Sequence, residues 1–141
     1  MTMNRASRTP MRDRYYVTTP IYFVNDVPHI GTAYTTIAAD VLARYHRLRG
    51  RETFFLTGLD EHGLKIERTA KAQGKPVQAY VDAMAEPFRR TWKTLDVAYD
   101  DFIRTTEPRH EKLAQELWKI VAAQGDIELG HFEGPYCVDC E

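Results

Sequence analysis

Residues 15–63 read YYVTTPIYFVNDVPHIGTAYTTIAADVLARYHRLRGRETFFLTGLDEHG, and the succession of patterns in them decides the fold. Residues 15–19 (YYVTT) are aromatic and β-branched, the composition of a buried strand, and Pro20 is expected to break it. Residues 21–29 read as a loop, with Asn25, Asp26 and Pro28 as turn residues. From Gly31 the periodicity becomes helical. Ile37, Ala38, Val41, Leu42 and Tyr45 share one face, Arg44, Arg47 and Arg49 lie off it, and Gly50 is a stop. Residues 53–59 (TFFLTGL) are a continuous run of strand length, suited to a parallel strand buried on both faces. Strand, loop, helix and strand make one βαβ unit, whose crossover is expected to be right-handed.

Outward from this unit, the tetrad Asp60, Glu61, His62, Gly63 falls at the carboxyl end of the second strand. Residues 64–72 predict a helix ended by Gly74, Lys75 and Pro76. A longer helix is expected over residues 77–95, with Val81, Met84, Ala85, Phe88, Trp92 and Leu95 as its apolar stripe. Pro87 marks either a kink or a boundary within it. Residues 96–106 read as a short extended segment. Thr106 is then the expected N-cap of a last helix, with Pro108 just inside and Gly125 after its end. That helix is traced by Leu113, Leu117, Ile120, Val121 and Gln124. Residues 126–141 read as strand and turn leading into Cys137-x-x-Cys140. The fold class is therefore α/β, a partial and mostly parallel sheet flanked by helices.

The chain has 141 residues with 19 basic and 20 acidic side chains, a balance that argues against a protein that coats nucleic acid. No apolar stretch reaches the roughly 18 residues needed to span a bilayer. Arg5, Arg8, Arg12 and Arg14 precede no apolar segment, so the start reads as a disordered basic tail rather than a secretory signal. Two cysteines near one end are not a disulfide framework, and a reducing, cytoplasmic setting is expected.

Chemistry is expected first at His29-Ile30-Gly31-Thr32, between a strand and a helix start. Helix N-termini present unpaired N–H groups and partial positive charge, so they take phosphates. Gly31 lets a ligand approach the backbone, and His29 can donate to phosphate oxygens. On these four residues alone, a turn histidine beside a structural glycine is an equal alternative. Asp60 is a carboxylate at a strand end; its alternative is an N-cap for the next helix.

Four segments in order carry a resemblance: residues 18–50, FFLTGLDEHGLKI (54–66), YDDFIRTTEPRHEKL (99–113) and GDIELGHFEGPYCVDCE (125–141). Together they resemble the methionyl-tRNA synthetase family of class I aminoacyl-tRNA synthetases, over about residues 14 to 141. The resemblance implies the first half of a Rossmann-like, doubly wound catalytic domain. The family activates methionine with ATP (with Mg2+) to methionyl-adenylate and passes it to tRNA(Met), with no covalent enzyme intermediate. It implies that His29 contacts the ATP phosphates and that Gly31 lets the nucleotide lie close. Asp60 would receive the methionine ammonium, and Ile21 and Tyr22 would line the amino-acid pocket. His62 is read as structural, or as a support to the residues that touch the substrate.

There are departures. The family signature is His-Ile-Gly-His, and Thr32 stands at its second histidine, keeping a hydroxyl donor without positive charge. Leu59, Phe23 and Pro87 are also atypical. The family's second, lysine-rich signature is not found in these 141 residues. Cys137 and Cys140 match the start of the family's zinc knuckle, but a structural zinc takes four ligands, so the site is incomplete. A redox pair is the alternative, without the expected strand-to-helix context. The expected organisation is a tail over residues 1–13, half a catalytic domain over 14–125 and a truncated connective, zinc-binding insertion over 126–141. A complementing C-terminal chain is an expected partner, and no membrane is. The alternatives are a non-catalytic truncated relative that binds nucleotide or a protein, and another class I synthetase such as the cysteinyl or leucyl type. A half-sheet with an uncovered apolar face is expected to oligomerise or dissolve poorly.

Overall fold

The computed structural model describes residues 13–137. The expected basic tail, apart from Asp13, and Cys140 lie outside the described residues. The elements run β1 (Arg14–Phe23), α1 (Ile30–Leu48), β2 (Glu52–Asp60), α2 (Leu64–Ala72), α3 (Val77–Thr94), β3 (Asp101–Arg104) and α4 (Pro108–Ala123). The three strands are parallel in the order β1-β2-β3, so the α/β reading and the βαβ unit hold.

Successive strand side chains alternate between faces. Phe55 of β2 packs on Ala39 and Ala43 of α1. Leu59, on the same face, joins Phe88 and Trp92 of α3 and Ile66 of α2. All three helices thus cover one side of the sheet. Tyr16 and Phe54, stacked 5.9 Å apart, lie on the other, where Phe54 is 45% exposed. The expectation that β2 is buried on both faces therefore holds for one face only.

The structure corrects other expectations. Pro20 does not end β1. The register shifts between Thr18↔Leu56 and Ile21↔Gly58, so β1 carries one extra residue there and then resumes. A bulge suits a residue with no N–H to give the ladder. The face of α1 turned to the sheet is Thr36, Ala39, Asp40 and Ala43, whereas Val41 is 59% exposed. Small side chains let the helix lie close to the sheet. The polar ones on this side are hydrogen-bonded: Asp40 accepts the Ala98 N–H at 2.8 Å and Arg44 at 2.6 Å. Arg47 reaches Asp100 at 2.6 Å, so α1 clamps the connection between α3 and β3. Arg44 has its pKa raised, chiefly by the hydrogen bond to Asp40.

Helix α3 is continuous through Pro87. Its buried stripe includes Tyr80, while Leu95 is exposed. Glu107, not Thr106, is the N-cap of α4, and α4 buries none of its residues; Trp118 is 63% exposed. Residues 126–137 form no strand. Among the described residues no helix is long and apolar enough to cross a membrane.

Candidate functional site

The carboxyl ends of β1 and β2 deliver most of the expected residues to one place. The chain leaves β1 at Phe23 and enters α1 through His29, which is its N-cap. The His29 Nδ1 accepts the Gly31 N–H at 3.0 Å. The Thr32 hydroxyl accepts the His29 N–H at 3.0 Å and donates to the His29 carbonyl at 2.7 Å. This is a reciprocal capping box in which histidine and threonine take the usual roles. With Nδ1 accepting, the ring proton of a neutral His29 sits on Nε2, the nitrogen left for a ligand. His29 is exposed.

Gly31 has a structural reason to be glycine. A Cβ there would sit 2.9 Å from Cε1 and 3.1 Å from Nδ1 of His29, so the ring rests where any other side chain would begin. Tyr22, buried, bonds the Thr36 hydroxyl at 2.8 Å and donates to the Thr32 carbonyl at 3.3 Å. Its ring stacks with Phe88 at 6.2 Å. Around these residues is a cavity of about 310 Å³ lined by Ile21, Tyr22, Phe23, Asn25, His29 and Thr32, among others. Tyr80 closes the base of the loop, with its hydroxyl on the Val24 carbonyl at 3.3 Å. Burial, with Asp26 nearby, holds its pKa above the ordinary value.

Asp60 is half-buried at the end of β2, in register with Phe23, and is not among the cavity's lining residues. It therefore stands one strand over, about 4.8 Å away in the hydrogen-bonding direction. It does not cap α2, whose N-cap is Gly63 with no side-chain bond, so the capping alternative is removed.

Sequence reasoning missed the network beside it. Glu61 has a side chain 0% exposed and is bound by Arg104 Nε at 2.6 Å and by the Thr106 hydroxyl. Arg104 also binds Asp82 of α3 at 2.6 Å. The Glu61 N–H donates to the Thr105 hydroxyl at 2.9 Å, and His62 Nε2 lies 3.2 Å from the Thr105 carbonyl. Burial works against the Arg104 charge, but hydrogen bonds to Glu61 and Asp82 more than offset it and raise its pKa. Asp82 is held below the ordinary carboxylate value, first by Arg104 and then by Gln78. In the sequence, Asp60 and Glu61 are two adjacent carboxylates, and no local signal separates their roles.

Cys137 is exposed. Among the described residues no group of three or more metal-ligating side chains gathers, so they do not furnish a zinc site.

A parallel sheet with helices along it, and a helix start at the carboxyl edge beside a cavity, defines an α/β protein of the Rossmann-like class. The family model described as "tRNA synthetases class I (M)" matches residues 15–141, and the chain belongs to this family. It is 54% identical over 131 residues to the methionine–tRNA ligase of Fusobacterium nucleatum, covering 93% of this chain and 21% of that protein. It is 55% identical over 128 residues to the Streptomyces coelicolor methionine–tRNA ligase, covering 90% and 24%. The solved Mycobacterium tuberculosis methionyl-tRNA synthetase in complex with methionyl-adenylate superposes with a TM-score of 0.86 at 43% identity. That match covers 90% of this chain and 25% of the solved one. The chain thus spans about a fifth to a quarter of the relatives it matches.

Proposed function

We propose that these residues form the ATP- and methionine-binding part of a cytoplasmic methionine–tRNA ligase. The observation that carries the reading is the His29 cap: His29 and Thr32, at the start of α1, both line a cavity at the carboxyl edge of a parallel sheet. In the reaction, a methionine carboxylate oxygen attacks the α-phosphorus of ATP, pyrophosphate leaves, and the adenylate forms. The methionyl group then moves to the terminal ribose of tRNA(Met). ATP enters with Mg2+ on its phosphates.

His29 donates from Nε2 to a phosphate oxygen, and the helix N-terminus adds its partial positive charge. Asp60 receives the methionine ammonium in a charge-assisted hydrogen bond, and Tyr22 and Ile21 wall the side-chain pocket. Thr32 acts through the cap, since its hydroxyl is engaged by the His29 backbone on both sides. Charge neutralisation of the departing pyrophosphate is a task we assign to none of these residues. A zinc held by Cys137 and Cys140 would need further ligands. The methionyl-adenylate held by the Mycobacterium relative supports the substrate pair.

The test is Asp60→Asn in the complete gene product, assayed by methionine-dependent ATP–pyrophosphate exchange. Methionine KM is expected to rise about tenfold or more, the size of a lost charge-assisted hydrogen bond, with ATP KM within about twofold. An unchanged methionine KM would remove Asp60 from the site.

A further inference from the structure

Glu61 is the most deeply buried charged side chain of the described residues, and the proposed chemistry leaves it without a task. A buried ion pair is weak grounds for stability, because desolvation cancels much of the attraction and apolar replacements are often no worse. What this pair does is better read from what it ties down. The Leu59 carbonyl accepts the Thr105 N–H at 3.3 Å, and the Glu61 N–H gives to the Thr105 hydroxyl at 2.9 Å. One residue of the turn after β3 therefore holds the chain on both sides of Asp60. The Glu61 carboxylate is fixed at both oxygens, by Arg104 and by Thr106. His62 leans on the Thr105 carbonyl. Residues 59, 61 and 62 are all fastened to 104–106, and the Asp60 carboxylate takes no part in these bonds.

We infer that Glu61, locked by Arg104 and Thr106, is a positioning residue that aims the Asp60 carboxylate at the substrate's ammonium group. The inference rests on the reading of Asp60 given above. Two effects run through the lock. It fixes the peptide after Asp60, and so the direction in which the Asp60 side chain leaves β2. It also neutralises Arg104, whose charge would otherwise repel an incoming ammonium. The remaining partner, Asp82, is half exposed and screened by solvent.

The experiment is a cycle of Glu61→Gln, Asp60→Asn and the double variant in the complete chain, with methionine and ATP KM measured separately by pyrophosphate exchange. Glu61→Gln is expected to raise methionine KM about tenfold, leave ATP KM within about twofold, and add nothing further in the Asp60→Asn background. A fall in kcat with both KM values unchanged would mark a structural role and overturn the inference, as would full additivity with Asp60→Asn. If Asp60→Asn itself leaves methionine KM unchanged, the site reading fails and this inference with it, so the two failures are distinct. Thr106→Val guards against a Glu61 variant that does not fold. It removes one hydrogen bond to the carboxylate, and it is expected to raise methionine KM about threefold with the same insensitivity in the Asp60→Asn background; an unchanged methionine KM overturns the inference.

Discussion

Replacing Gly31 with alanine separates the architecture of the site from its stability. The new Cβ would lie 2.9 Å from His29 Cε1 and 3.1 Å from Nδ1, so the ring must withdraw by several tenths of an ångström. Withdrawal lengthens the 3.0 Å bond from the Gly31 N–H to Nδ1 beyond a useful range. Losing an N-cap acceptor costs about 1 kcal/mol. Against this, alanine in place of glycine within a helix gains about 0.5–1 kcal/mol, somewhat less in the first turn. The other half of the cap, through Thr32, survives. The two terms nearly cancel, and the net change in stability is expected to stay within about 1 kcal/mol. The catalytic consequence has no such offset. Nε2, the donor to phosphate in the proposed site, moves with the ring, and loss of one such preorganised donor is worth roughly 10²–10³ in kcat. Urea unfolding and pyrophosphate exchange on the same preparation test both halves. Amide hydrogen exchange at residue 31 reports the cap directly and should quicken. Full activity with an unchanged melt would show that the His29 ring has room to spare, and the account of the glycine would be wrong.

Two further outcomes follow from contacts away from the cap. Gly58→Ala drives a Cβ to 2.1 Å from the Ile103 carbonyl oxygen, a backbone atom that cannot swing aside, so β2 and β3 must part. A loss of about 3 kcal/mol or more is expected in chemical denaturation, and a loss under about 1 kcal/mol would contradict the strand spacing. Asp82 and Asp101 have carboxyls held low by hydrogen bonds, first from Arg104 and Arg109 respectively. A depressed folded value means stability that is complete above the ordinary value of 3.8 and lost as pH falls through the lower folded one. The melting temperature should therefore drop more steeply below about pH 4, and the Asp101→Asn variant should flatten that limb; an unchanged limb would remove the Asp101 pair from acid stability.

Much of this fold was legible because its signals are local. The β-branched opening of β1, the continuous apolar run of β2 and the glycines after α1 and α4 each act within a few residues. The errors have one physical source, the preference of a tertiary neighbour over a local pattern. The large apolar residues of α1 looked like its core face, yet alanine and threonine lie inward because closeness to the sheet outweighs side-chain size. Pro20 looked like a strand end, but a bulge absorbs the missing donor. Thr106 looked like a cap, but its hydroxyl is taken by Glu61, a partner far off in the chain. At the site, His29, Gly31 and Thr32 were legible as a unit because the motif is contiguous. The network around Glu61 was not, since it joins the ends of β2 and β3 to α3, and no spacing in the sequence announces that meeting.

The alanines on the inner side of α1 have a consequence beyond packing. Ala39 and Ala43 rest on Phe55 of the strand whose end carries Asp60, and the helix they belong to begins at His29. They are the shims that set how far His29, the proposed phosphate-side group, stands from Asp60, the proposed ammonium-side group. A methyl added at either one would tilt a rigid rod, and the tilt would be magnified at its tip. The gauge of the proposed site is cut several turns away from it, by side chains buried against the sheet.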